Sequence, residues 1–199
     1  MAKFNLEKHK AYLDANPDLK QYIERLEREN IRDHLTDVYN RRGFDEFFKY
    51  QCELAKRYKK PFALSMGDID DFKSYNDEFG HDAGDLALIE ISRCMQSNLR
   101  TSDILCRYGG EEFAIILPEI KGDDAELVIE RMKNKIGELK LNRRITMSFG
   151  IFSFPDDSIY VYDLVTDIIP LCDKALYYAK KTGKNKICTI RFLVENDAL

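Results

Sequence analysis

The sequence predicts an α+β fold, a mixed β-sheet with helices packed on it, and three features carry that expectation. Short apolar runs alternate with longer stretches whose apolar residues recur at helical spacing, and two of the runs are separated only by a turn containing Gly109-Gly110. The length, 199 residues, is that of one globular domain with a modest extension, so one core should dominate. Hydrophobic residues at 44% and charged residues at 33% can fill an interior and still keep the surface wetted, which excludes disordered and low-complexity classes. Lys and Arg number 31 against 35 Asp and Glu, a net charge of -4, so no global cationic field draws the chain to a nucleic acid polymer or an anionic membrane. No apolar run approaches the roughly 20 residues that span a bilayer, and Met1 to Lys10 lacks the apolar stretch of a secretion signal, so the expected location is cytoplasmic. The five cysteines, Cys52, Cys94, Cys106, Cys172 and Cys188, are odd in number and never at C-x-x-C spacing, which predicts reduced thiols in place of a disulfide framework or a zinc ribbon.

Taken in order, the first thirty residues read as two short helices. Asn5 suits the cap of one, and Asn16-Pro17-Asp18 starts a second, on which Leu19, Tyr22, Ile23 and Leu26 form an apolar stripe. The stripe leans on the main domain or on a second copy, or the segment is a solvated leader. Asn40 is placed to cap a helix from Arg41 to Lys60, ended by Pro61. Phe62 to Met66 reads as a buried strand running into Gly67-Asp68-Ile69-Asp70, followed by a short helix from Asp71 to Phe79 and a longer one from Asp82 to Leu99. Ile104 to Arg107 and Phe113 to Leu117 flank the two glycines as a hairpin. A helix over 122–139, a strand over 144–154, a helix over 161–182 stopped by Gly183, and a strand from Lys186 complete the chain. The β-α-β-β-α-β core of this order is the ferredoxin-like pattern, which by itself specifies no function. Residues 1–32 are thus a helical leader and 33–199 one domain.

Acidic residues gather where the first strand and the hairpin turn should meet. Asp68 and Asp70 end the strand, and Glu111 and Glu112 follow the glycines. Such carboxylates are either solvated turns or a convergent set, and a convergent set is relieved by protonation or by a divalent cation with oxygen ligands, magnesium being the choice. A calcium loop starting at Asp68 fails, because its sixth and twelfth positions need Gly and Glu where Lys73 and Phe79 stand. No G-x-x-x-x-G-K-[ST] occurs, so a nucleotide would be held by metal and side chains without a phosphate loop.

Arg107-Tyr-Gly-Gly-Glu-Glu-Phe113 resembles the signature of GGDEF-domain diguanylate cyclases in its GGEEF form. The likeness extends, in the family's order, through Asp33-His-Leu-Thr-Asp-Val-Tyr-Asn-Arg-Arg42, Asp68-Ile-Asp-Asp-Phe-Lys-Ser-Tyr-Asn-Asp77, Gly80-His-Asp-Ala-Gly-Asp85, and Ala175-Leu-Tyr-Tyr-Ala-Lys180 with Gly183-Lys-Asn185. It covers the chain from about Asp33 onward, and five ordered motifs make chance agreement remote. The resemblance implies a palm-type nucleotidyl cyclase that condenses two GTP molecules into cyclic di-GMP, a bacterial second messenger, with release of pyrophosphate.

By match to the family, Asp68, the Ile69 carbonyl and Glu111 hold magnesium, with manganese as the alternative ion. Glu111 accepts the proton, Glu112 assists at the metals, and Lys73 offsets phosphate charge. Asp85 matches the position that accepts from guanine, which favours GTP over ATP, while Asn76 and His81 line the same nucleotide. Lys180 and Lys184 match the holders of the terminal phosphates; the family often has Arg at the second, so Lys184 trades a bidentate fork for a point charge. Gly67 stands where an apolar residue is usual. Arg100 and Asp103 match the R-x-x-D site at which product inhibits, and Arg131 resembles its secondary arginine. The two triphosphates must face each other, so turnover requires a homodimer of domains, and the leader either pairs two copies or is the stump of a link to an upstream sensor.

Overall fold

The computed structural model describes residues 31–196, so the leader helices and the stripe from Leu19 to Leu26 lie outside the described residues. Strands β1 (Tyr39–Asn40), β2 (Phe62–Ile69), β3 (Ile104–Arg107), β4 (Glu112–Pro118), β5 (Met147–Phe154) and β6 (Ile187–Thr189) form one sheet in the order β1-β3-β4-β2-β5-β6. The helices are α1 (Arg41–Tyr58), α2 (Phe72–Phe79), α3 (His81–Ser97), α4 (Gly122–Gly137), α5 (Leu164–Lys181) and α6 (Ile190–Glu195). The inner four strands are antiparallel neighbours, as the ferredoxin-like order requires, and the two edge pairs, β1 with β3 and β5 with β6, are parallel.

Helices cover both faces, so β2 and β5 are buried at every position and read as continuous apolar runs. Alternation along β2 sends Phe62, Leu64 and Met66 to one side, where α1 adds Phe44, Phe48 and Cys52 and α5 adds Ile168, Cys172 and Ala175. Ala63 and Ile69 face the other side with Leu88, Ile91 and Met95 of α3 and Ile129, Met132 and Ile136 of α4. By the same alternation Asp68 belongs to the α1/α5 side. All five cysteines are unpaired, and burial pushes the Cys52 thiol up to about 12. Among the described residues, no helix is long and apolar enough to cross a membrane.

Several boundaries differ from expectation for local reasons. Asn40 does cap α1, its side chain accepting from Gly43 N–H, but with Tyr39 it also forms β1 beside Cys106 and Arg107. Two residues are too few to show any periodicity. α5 starts three residues later than the pattern suggests because Ser158–Tyr160 make a 3₁₀ turn and Asp163 accepts from Val165 N–H and Thr166 N–H as the cap. β5 begins at Met147, three residues past the expected start. α6 was not expected; Thr189 ends β6 and caps this helix through Phe192 N–H. Gly67, unusual at its position, lies under the ring of Phe149, which occupies the space of the missing side chain.

Candidate active site

The hairpin places the acidic residues. In the β2–β4 register Asp68 stands opposite Glu112, so both side chains leave the sheet on the α1/α5 face. Ile69 N–H donates to the Glu111 carbonyl at 3.2 Å, which brings the turn against the end of β2. Tyr108 N–H and Gly109 N–H both donate to the Glu112 carbonyl, closing the turn, and a Cβ on residue 109 would come within 2.2 Å of Glu112 Oε2. A side chain there would have to push the Glu112 carboxylate aside. The Gly110 carbonyl accepts from Arg107 Nε and Nη2 at 3.1 and 2.8 Å, while Arg107 Nη1 reaches Asp33 Oδ1 at 3.1 Å. Burial works to raise the Asp33 carboxyl, but hydrogen bonds from Thr36 and Arg107 outweigh it and hold the group below the usual range.

Asp68 is 5% exposed, and burial, reinforced by the charges of Glu111 and Glu112, pushes its carboxyl up to about 6 against the pull of Lys180. Lys180 Nζ, on the last turn of α5, lies 2.6 Å from Asp68 Oδ1 and partly offsets the buried charge. A buried carboxylate beside two further carboxylates fits an oxygen-liganded cation. Among the described residues no group of three or more His, Cys, Asp or Glu side chains is gathered tightly enough to hold a metal ion.

Asp70, expected to join this cluster, is diverted from it. Its Oδ1 accepts from Ser148 Oγ, and its Oδ2 accepts from Thr146 Oγ1 and Asn185 N–H, all within 2.9 Å. The strand-end spacing that suggested a pair of like carboxylates cannot distinguish a ligand from a buried hydrogen-bond hub.

A second group assembles where α2 meets α3 at Gly80, whose φ of 86° makes the corner. The carboxamide of Asn76 packs against Gly84, with its Oδ1 buried and lacking a donor. His81 and Asp85, four residues apart on α3 and both exposed, flank that glycine. Lys73 is exposed at the start of α2, and Lys184 is half-buried with its Nζ 2.5 Å from Asp71 Oδ1. Arg100 and Asp103 form a compact turn, Arg100 N–H donating to Asp103 Oδ2 at 2.8 Å, at the end of β3 opposite the glycine turn. Arg131 Nη2 donates to the Asn98 carbonyl nearby, and a groove lined by Arg32, Tyr39, Gln96, Leu99, Arg100 and Asp103 opens there. Asp70, Asp71 and Asn185 are the site-forming residues that carried no assigned role; only their place inside the quoted motifs marked them.

Residues 30–186 match the family described as "Diguanylate cyclase, GGDEF domain". Diguanylate cyclase DosC of Escherichia coli strain K12 is 32% identical over 176 residues, covering 85% of this chain and 37% of that protein. The chain spans less than half the length of the curated relatives it matches first. Among solved structures, the coiled coil and GGDEF domain of DgcB from Caulobacter crescentus, in complex with c-di-GMP, is 26% identical with a TM-score of 0.80, covering 94% of this chain and all of that one. The active GGEEF domain of a diguanylate cyclase from Vibrio cholerae is 34% identical with a TM-score of 0.71, covering 76% of this chain and 97% of that one.

Proposed function

This chain belongs to the GGDEF-domain diguanylate cyclase family, and from that premise we propose that it joins two GTP molecules into one cyclic di-GMP with release of two pyrophosphates. The observation that carries the reading is Asp68 set opposite Glu112 at the end of the sheet, a buried carboxylate beside Glu111 and Glu112 that is ion-paired with Lys180. In each half-reaction a ribose 3′-oxygen forms a bond to the α-phosphorus of the facing GTP, and the bond from that phosphorus to the bridging oxygen breaks as pyrophosphate departs. Glu111 takes the 3′-hydroxyl proton, with Glu112 assisting. Asp68, the Ile69 carbonyl and Glu111, with Glu112 assisting, would hold two divalent cations, magnesium or manganese, which would supply positive charge to the phosphates and lower the cost of deprotonating the 3′-hydroxyl. Lys73, Lys180 and Lys184 offset the remaining negative charge. Lys180 neutralises Asp68 in the protein alone and meets the terminal phosphates when substrate binds.

Asp85 accepts from guanine N1–H and its exocyclic amine, and Asn76 and His81 line the base and ribose. Adenine would present an acceptor to the Asp85 carboxylate and leave that charge unpaired, which discriminates strongly. One domain holds one GTP, so two domains meet face to face, either through residues 1–32 or through an attached sensor. The groove lined by Arg100 and Asp103, with Arg131 beside it on the Asn98 carbonyl, takes cyclic di-GMP as an inhibitor, guanidinium forks on its phosphates and the carboxylate on a guanine edge. Residues 33–199 are the catalytic unit.

Incubation with Mg²⁺ or Mn²⁺ and GTP, ATP or both, over a range of protein concentrations, with products identified by mass, tests this. Cyclic di-GMP from GTP alone, lost in Asp68→Asn and Glu111→Gln, is the expected result. No turnover at any concentration together with saturable cyclic di-GMP binding would make the chain a receptor, and a hybrid dinucleotide would defeat the assignment of Asp85.

A further inference from the structure

We infer that Asp70 is a positioning residue for this reaction: through the backbone N–H of Asn185 it sets the path of the basic turn that carries Lys184, and it is not a ligand of the cation. The inference rests on the reading above.

Asp70 N–H donates to the Thr146 carbonyl at 2.9 Å, which continues the β2–β5 register one residue past Ile69 and brings Asp70 beside the start of β5. The side chain, 8% exposed, then meets three donors: Ser148 Oγ at 2.7 Å on Oδ1, and Thr146 Oγ1 at 2.7 Å and Asn185 N–H at 2.9 Å on Oδ2. An ionised carboxylate offers about four lone-pair sites, so three are already committed. Turning Asp70 toward a cation would strip three donors of their acceptor at once, one of them, Ser148 Oγ, fully buried.

What Asp70 holds is a turn that would not keep its shape alone. Gly183, Lys184 and Asn185 have φ of 126°, 60° and 49°, three successive residues in the left-handed half of backbone space, two of them with side chains. Lys184 N–H bonds to the Ala179 carbonyl at 3.1 Å and ties the turn to the end of α5; Lys186 O accepts from Phe149 N–H at 2.8 Å and ties it to β5. Between these two anchors, Asn185 N–H donates to Asp70 and the Asn185 carbonyl accepts from Lys133 Nζ at 3.2 Å, so the middle is held from both sides. The end of β2 and the two residues after it grip the basic segment three times: Asp68 on Lys180, Asp70 on the Asn185 backbone, and Asp71 on Lys184. The first and third are ion pairs that incoming phosphate can compete for. The second is backbone-directed and remains, so the lysines keep their station while they exchange partners.

Asp70→Asn and Asp70→Ala separate the roles. An asparagine oxygen can still accept from Asn185 N–H and Thr146 Oγ1 while its NH₂ donates to a rotated Ser148 hydroxyl, whereas alanine accepts nothing. Expected are a GTP KM within about threefold of the parent for the asparagine variant and a rise of about tenfold or more for alanine, with kcat moved less and the half-saturating Mg²⁺ concentration unchanged in both. Hydrogen exchange at the Asn185 amide should quicken in Asp70→Ala and not in Asp70→Asn. A half-saturating Mg²⁺ raised about tenfold in either variant, or an unchanged KM in the alanine variant, overturns the inference. Should Asp70→Ala not fold, the metal titration of Asp70→Asn decides by itself. If the parent makes no cyclic di-GMP, the functional reading fails, and the exchange comparison still reports whether Asp70 holds the turn.

Discussion

Gly67 and Phe149 face each other across the β2–β5 ladder and together fill one side chain's worth of space in the core. A Cβ on residue 67 would stand 2.5 Å from Cε1 and 2.6 Å from Cδ1 of that ring, about 1 Å inside ordinary carbon contact. The ring is fully buried and has no room to swing. Gly67→Ala should therefore cost about 2 kcal/mol of overpacking, reduced by about 0.5 kcal/mol for the freedom that glycine loses on folding. Phe149→Leu alone leaves a void above Gly67 and should cost about 2 kcal/mol. In the double variant the new methyl enters the space the ring vacates, so the combined loss should fall short of the sum by about 1 kcal/mol or more. Urea unfolding of the four proteins measures this, and cyclic di-GMP formation should follow it, since Asp68 is the next residue on the strand. Additivity within about 0.3 kcal/mol, or a neutral Gly67→Ala, would refute the packing argument.

Gly84→Ala places a Cβ 1.9 Å from Asn76 Oδ1 and must displace that amide, so GTP KM should rise about tenfold while thermal stability holds, since alanine gains about 1 kcal/mol over glycine inside a helix; an unchanged KM would remove Asn76 from the nucleotide site. Burial pushes the Asp157 carboxyl up to about 6, so between about pH 4 and 6 the folded chain binds more protons than the unfolded one and stability falls as pH rises through that window. Asp157→Asn keeps an oxygen for Ser153 N–H and should flatten the decline by about 2 kcal/mol between pH 4.5 and 7.5, with Asp68 supplying the remainder; an unaltered slope in urea midpoints would count against it. The Ser65 hydroxyl is wholly buried on β2 without a partner, so Ser65→Ala should stabilise the fold by about 1 kcal/mol, and a lower melting temperature would contradict that.

The order of strands and helices is legible in the sequence because the interior strands are buried on both faces and the helices carry apolar stripes. The meeting of Asp68 with the Glu111-Glu112 turn is legible for a related reason: a strand end beside a two-glycine hairpin leaves one topology in which they are neighbours. Asp70 is not legible. Two carboxylates at i and i+2 on a strand end look alike on paper, and only the register with β5 reveals that Ser148 and Thr146 wait for the second. Gly67 is opaque for the same cause, because the ring that explains it lies far along the chain on another strand. Short elements escape as well: β1 has two residues, and α6 hides behind Thr189, a residue equally suited to strand and cap.

The brevity of the outermost strands bears on how copies of this domain can meet. The outer edge of β1 is already occupied, Arg32 bridging Tyr39 and Asn40 N–H donating to the Ile31 carbonyl at 2.8 Å, and β6 offers three residues before a helix begins. So little backbone is bare among the described residues that neighbouring molecules have almost nothing with which to zip their sheets into a continuous ribbon. Contact between two such domains through these residues is left to loops and side chains.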